Sequence, residues 1–412
     1  MTTVPAKPEY RSIWQLTGLI CVIVAQCLGT SLWFSPAGAA SGLMLRWDVS
    51  VAEFAWLLVC TQIGFIAGTL ILAFSGVADR VRASRLFALS CLTGALINAV
   101  LMVPGVSFGQ AWWCRILVGV CLAGIYPLGM KLVVQWVGHK PALALAWLVG
   151  MLTVGTAVPH ILRALGVFWP WQYVIGGATL LAMLGGLLVF VVGDGPHRVM
   201  PGAALRLDTK AFRTLTDIPS LRASAGGYFG HMWELYALWA VVPVLCASLA
   251  ADLHAGEAMN AEASVLRTTY WLVALVIAIG AAGCLLGGYI SQRVGSPRVA
   301  FAALAGSGFI CLVYPVIPPS AVELKVVLLL CWGVLVVADS PQFSAMSSEA
   351  APPRLLGMAL LLQNGTGFLI SAISILLLSS LIQSWGERAL WVLLPGPLVG
   401  LWAMHPLLRR AA

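Results

Sequence analysis

His231 and Glu234 stand three residues apart in GGYFGHMWELYALWAVVP (226–243), an otherwise apolar run in which a helix would put both side chains on one face. A carboxylate held away from water can take up and release a proton. An imidazole beside it can exchange that proton, so the pair suits a proton relay or a polar solute. The competing reading is a structural ion pair. Arg115, in CRILVGVCLAG (114–124), is costly in apolar surroundings unless it faces water, a partner or a ligand. It lies near the end of its run, so snorkelling to the surface competes with a functional role. Tyr126, eleven positions on, shares roughly the same helical face, whereas Lys131 points almost opposite and reads as a snorkelling residue.

Further polar residues interrupt other apolar runs. Asp339, in VVADSPQFSAMSSE, is followed on one face by Gln342 and Met346, and Pro341 frees backbone groups that a cavity could use. It could bind a cation, accept a proton or pair with a neighbouring donor. Gln363 and Asn364 precede Gly365 and Gly367 in a polar, close-packing start to a later run. Near the N-terminus Gln15, Gln26 and Trp33 recur at spacings of eleven and seven, with Thr30 adjacent. His160, after Pro159, could join these groups or sit at a membrane interface.

The elements that must position them are membrane spans. Sixty per cent of the 412 residues are hydrophobic and 9% are charged, a balance no water-soluble surface of this size supports. Runs of about 20 residues predict twelve helices. They fall at 13–37, 52–74, 85–105, 110–133, 142–163, 172–193, 223–248, 268–290, 299–319, 325–346, 356–381 and 389–408. A β-barrel would alternate polar and apolar residues, and LLAMLGGLLVFVV (180–192) does not. The first run has too long an apolar core for a signal peptide.

Basic residues accumulate on the cytoplasmic side of inner-membrane proteins. With both termini cytoplasmic, only Arg46, Arg163, Arg267, Lys325 and Arg388 fall in outer loops, one per loop, and Arg115 lies within its span. The net charge of +8 is therefore a topology signal and not a nucleic-acid footprint. The ten cysteines form no C-x-x-C pair and neither His nor Met shows ligand spacing, so neither metal nor cofactor is expected. The expected partners are the bilayer, a small-molecule substrate and protons, with the chain itself a monomer.

An eleven-residue segment occurs twice, as SGVADRVRASR (75–85) and GYISQRVGSPR (288–298). Arg80 aligns with Arg293 and Arg85 with Arg298, while Asp79 faces Gln292. The polar stretch 194–222 separates the spans into six and six. The expectation is an all-α membrane protein of two pseudo-symmetric six-helix bundles, 1–193 and 223–412, joined by a cytoplasmic linker.

In these features the chain resembles the major facilitator superfamily of secondary transporters, whose G-x-L-a-D-R-x-G-R-[RK] signature follows helix 2 and is echoed after helix 8. Ser75 stands where the signature has its first Gly and Arg82 where it has a later one; the second copy has Gln292 in place of Asp. Arg115 and Gly119 match the R-x-x-x-G of helix 4. The resemblance implies that helices 1, 4, 7 and 10 line a central cavity and that the helix-4 arginine takes part in coupling or anion binding. A carboxylate among arginines at a helix end can bridge to a neighbouring terminus in one state and release it in another. Asp79, Arg80 and Arg85, with Arg293 and Arg298, are thus candidates for a conformational latch. Their alternative role is that of positive-inside anchors.

The expected function is a proton-coupled secondary transporter, alternating its access about a midplane site for a small polar solute or organic anion. GMLTVGTAVPH (150–160) lacks the Gly-Pro step of drug–proton antiporters, which weakens an efflux reading. The alternatives are a receptor that binds a ligand without net flux and a drug or metabolite efflux antiporter. No nucleophile–base pair or nucleotide loop supports an enzyme.

Overall fold

In a bilayer every backbone polar group must be satisfied inside the chain, and apolar runs of this length meet that demand as helices. A computed structural model describes residues 13–137, 142–197, 209–255, 261–352 and 355–410, with no strand among them. The spans are α1 (Ile13–Thr30), α2 (Val51–Ser75), α3 (Ala83–Ala99), α4 (Phe108–Val137), α5 (Ala142–Leu165) and α6 (Gln172–Val192). They continue as α7 (Pro219–Leu253), α8 (Glu262–Val294), α9 (Ser296–Val313), α10 (Val322–Ala338 continued by Ser340–Ala350), α11 (Leu356–Trp385) and α12 (Pro395–Arg410). Ten stretches of the described residues are each long and apolar enough to cross a bilayer. One of them, Leu356–Leu408, contains both α11 and α12, and the broken α10 is the further segment.

The helix pairs reveal a twofold plan. In the first half α1 packs on α5 and α6, α2 on α4, and α3 on α4 and α6. In the second half α7 packs on α11 and α12, α8 on α10, and α9 on α10 and α12, the same pairs six helices later. Between halves α2 meets α11 and α5 meets α8, two contacts that exchange under the same relation.

Three spans break where proline dictates. A proline lacks the N–H that would reach the carbonyl four residues back and clashes with it. The expected first span ends as a helix at Thr30 and resumes as Ser35–Gly38, with Pro36 in its first turn. In α4 the chain turns at Gly124–Ile125 before Pro127, and in α10 it turns at Asp339 before Pro341. Pro341 frees the carbonyl of Val337, which accepts from Cys284 Sγ at 3.6 Å.

Glycines set how closely the helices approach. A Cβ on Gly64 would lie 1.9 Å from the Ile116 carbonyl oxygen, and one on Gly119 would lie 2.1 Å from that of Thr61. The second half repeats this between α8 and α10, where a Cβ on Gly283 would meet Val334 O at 2.1 Å and one on Gly333 would meet Val276 O at 2.2 Å.

The two copies of the repeated segment differ in backbone. The first turns at Gly76 (φ 65°) into a short helix, Val77–Arg80, and Lys131 Nζ donates to Ala78 O at 2.6 Å. In the second, α8 runs on to Val294 and stops at Gly295 (φ 87°). Alternation of the spans puts both segments on one face, called the basic face below.

Because backbone cannot move aside, Gly119→Ala should cost about 1–3 kcal/mol and lower the thermal midpoint in detergent. Gly109→Ala, with nothing within 4 Å of the added Cβ, should leave it unchanged. Equal midpoints for both variants would contradict the close approach of α2 and α4.

Candidate functional site

The mid-span buried charges among the described residues form two separate clusters, one in each half, apart from Lys325 in the first turn of α10, which pairs with Glu387. In the first, Arg115 is wholly buried. Its Nε donates to Thr61 Oγ1 on α2 at 3.0 Å and its Nη1 to Asn98 Oδ1 on α3 at 3.1 Å. Its Nη2 donates to the carbonyls of Leu32 at 2.9 Å and Trp33 at 2.8 Å. Leu32 is the residue four before Pro36, so the guanidinium supplies a donor that the proline removed. The R-x-x-x-G spacing now has a physical reason: Gly119, one turn beyond Arg115, lets α2 approach until Thr61 reaches Nε. Asn98 is held in turn by Ser35 Oγ at 2.7 Å and donates to Thr179 Oγ1 on α6 at 3.1 Å.

The second cluster lies among α7, α9 and α10. Glu234, fully buried, accepts from Ser307 Oγ at 2.9 Å and from Trp332 Nε1 at 2.6 Å, one carboxylate oxygen each. His231, three residues away, faces a different partner. Its Nδ1 lies 2.8 Å from Asp339 Oδ1 at the break in α10, close but without the alignment of a hydrogen bond. Both residues are 1% exposed, and the imidazole lies against the rings of Tyr228 (5.9 Å) and Phe343 (5.8 Å). Because α7 and α10 run antiparallel, Glu234–Trp332 and His231–Asp339 form two successive rungs between them.

Compared with expectation, the structure joins His231 to Asp339, whereas Glu234 turns toward Ser307 and Trp332. Gln26 is fully buried with neither amide atom hydrogen-bonded, and a Cβ on Gly129 would lie 2.1 Å from its Oε1. Thr30 Oγ1 bonds back to Gln26 O at 2.8 Å and reaches Leu152 O on α5 at 3.4 Å. Tyr126 is half-buried where α4 resumes, and Gln342 is 2% exposed. Gln363 accepts from Ser347, whose hydroxyl also lies 2.7 Å from Ser224 Oγ on α7. Asn364 lines a small cleft between α2 and α11 with Phe65 and Phe368. His160 is buried with neither ring nitrogen hydrogen-bonded, so its ring faces the protein interior and not the lipid.

The Asp79 side chain lies outside the described residues. Arg80 and Arg85 are exposed on the basic face; Arg293 is exposed too, donating to Tyr289 OH at 2.9 Å, and Arg298 Nη1 donates to Val294 O at 3.4 Å. Among the described residues no cluster of His, Cys, Asp and Glu could hold a metal.

Sequence reasoning missed Thr61, Asn98, Ser307 and the rings Phe34, Phe65, Trp239 and Phe368, which join Trp33 and Tyr236 in a buried cluster across the halves. Pro36 was a signal for the acceptors of Arg115. The hydroxyl and amide partners had none, because such residues are common in apolar helices.

The profile of the Major Facilitator Superfamily matches residues 19–375, and the chain belongs to that superfamily. Its fold is similar to that of a bacterial homologue of the human lysosomal transporter Spinster in an inward-facing, unoccupied conformation. The two share 14% identity and superpose with a TM-score of 0.62, over 97% of this chain and 96% of that one. A comparison with curated protein sequences finds no match. The chain is thus an integral membrane protein of a transporter superfamily.

Removing Arg115 would take a donor from Thr61 Oγ1 and the Trp33 carbonyl, and would leave Asn98 Oδ1 and the Leu32 carbonyl to share the Ser35 hydroxyl. Arg115→Ala should therefore destabilise the protein by on the order of 3 kcal/mol. Arg115→Lys should recover little of this, because an ammonium cannot fork to three helices. A Lys variant melting like the parent would contradict the structural role.

Proposed function

We propose that this chain is a proton-coupled secondary active transporter that works by alternating access. The observation that carries the reading is the contact of His231 with Asp339 beside Glu234, in the interior of a membrane bundle. Ionisable groups are retained at that depth where they bind or relay charge. Asp339 sits at the break in α10, where a small change in backbone angle would move its carboxylate relative to His231. Proton uptake on either carboxylate would weaken the rungs between α7 and α10, so protonation and helix movement are linked.

The halves meet through α2 with α11 and α5 with α8, and rocking about these contacts would expose the space between them to one face at a time. We take the basic face as cytoplasmic, with both termini on that side and with 1–193 and 223–412 as the moving bodies. Asp79, Arg80 and Arg85 serve as a latch on that face, supported by the grip of Lys131 on Ala78 O in the same segment. The second copy, with Gln292 for Asp79, lacks the charge for an equivalent latch.

An organic-anion substrate was expected from Arg115, but its Nε, Nη1 and Nη2 all donate to the protein, so an anion would have to displace them. A receptor without flux gains no specific support.

The test is accumulation of labelled solutes into proteoliposomes under an imposed pH gradient. Glu234→Gln and Asp339→Asn should each reduce gradient-driven accumulation at least ~10-fold while solute exchange without a gradient persists. Undiminished accumulation and pH dependence in both variants would exclude this cluster as the coupling site. In Asp79→Asn, accessibility labelling should show a shifted balance between the two faces; an unchanged balance would remove the latch.

A further inference from the structure

The contact between the halves has a character that the transporter reading does not by itself require. Trp33 and Phe34, at the break after α1, meet Tyr236 and Trp239 of α7. Trp33 stacks on Tyr236 with centroids 5.8 Å apart and planes at 19°, and Phe34 lies nearly parallel to Tyr236 at 6.5 Å and 9°. Trp239 stands edge-on to Phe34 at 5.8 Å, while Phe65 of α2 and Phe368 of α11 close the cluster at 4.6 Å. Three rings come from each half, and none is more than 6% exposed.

The buried charges turn away from this seam. Arg115 is bonded within the first half, Glu234 points to Ser307 and Trp332, and Asp339 is paired with His231, all within the second. A charged solute at the ring cluster would lose its hydration without a counter-charge. The cluster does contain an unused donor: Trp239 Nε1 is buried and has no hydrogen-bond partner. An N–H in that condition is destabilising until an acceptor reaches it.

We infer that the seam between the halves binds a neutral, flat, ring-bearing solute that offers a hydrogen-bond acceptor to Trp239. Its ring lies between Trp33 and Phe34 on one side and Tyr236 and Phe368 on the other. Separating the halves by one ring thickness, about 3.5 Å, would open such a slot, and the solute's faces would replace ring contacts that the opening breaks. Arg115 acts as a positioning residue here, because its bonds to the Leu32 and Trp33 carbonyls fix where Trp33 and Phe34 project. This assignment of substrate class rests on the transporter reading.

A matched set of probes tests it on the purified full-length protein at pH 8. Quinoline is neutral there with a ring-nitrogen acceptor; naphthalene has the same shape without one; N-methylquinolinium and naphthalene-2-sulfonate carry opposite charges. Thermal shift and tryptophan quenching should rank quinoline first. Trp239→Phe, which keeps a ring and removes the N–H, should weaken quinoline roughly 5- to 10-fold and leave naphthalene unchanged. Trp33→Ala should weaken both, and Trp33→Phe should restore most of the loss if the alanine variant folds poorly.

Equal binding of quinoline by the parent and Trp239→Phe, or a preference for either charged probe, would overturn the inference. Uptake of labelled quinoline into proteoliposomes separates the two readings. Binding without gradient-driven uptake would reject the transporter reading and keep the site. Uptake of a non-aromatic solute by a protein that ignores quinoline would reject the site and keep the transporter.

Discussion

A charge buried in a membrane protein must be satisfied by the protein itself, and Arg115 shows how far that requirement shapes this one. Four donated bonds reach α2, α3 and the broken end of α1. The break is needed to release the carbonyls that the guanidinium takes. Pro36 makes the break, and Gly64 with Gly119 brings α2 near enough to contribute Thr61. Each of these local features would be a defect alone. Together they form a consistent set, and the position of Trp33 and Phe34 follows from it.

The second half meets the same requirement with the opposite sign. Glu234 on its first helix ties the third and fourth through Ser307 and Trp332, as Arg115 on the fourth helix of the first half ties the first and third. The glycine contacts repeat between halves, whereas the charges do not. Such asymmetry separates the two bundles: one holds a cation that shapes a helix end, and the other holds buried acid and imidazole groups.

Much of this was legible in the sequence. The apolar runs located the long helices, ten stretches of which are apolar and long enough to cross a bilayer, consistent with the expected twelve, and the repeated segment pointed to the twofold plan of the helix pairs. His231, Glu234, Asp339 and Arg115 stood out because charge is rare in such runs. Their partners were less visible. Helical spacing put His231 beside Glu234, but spacing along one helix says nothing of what faces it, and Asp339 on α10 is the closer neighbour of His231. Backbone carbonyls have no signature of their own. The ring cluster was hidden for another reason: aromatic residues are equally at home against lipid, and only the approach of the break after α1 to α7 and the packing of α2 on α11 distinguish the buried ones.

The central claim is that the buried charges are bound within each half while an aromatic seam, with one buried hydrogen bond from Ser371 Oγ to Gln62 Oε1 at 2.6 Å beside it, holds the halves together, so the halves can part as units. Spin labels at Arg82 and Gln292 on the basic face, and a second pair at Arg46 and Arg267 on the other, would report it by pulsed dipolar distance measurement. The account predicts two distances for each pair, their populations changing in opposite directions as pH is varied and converging on one state in Glu234→Gln. A single distance at both faces, independent of pH, would contradict it.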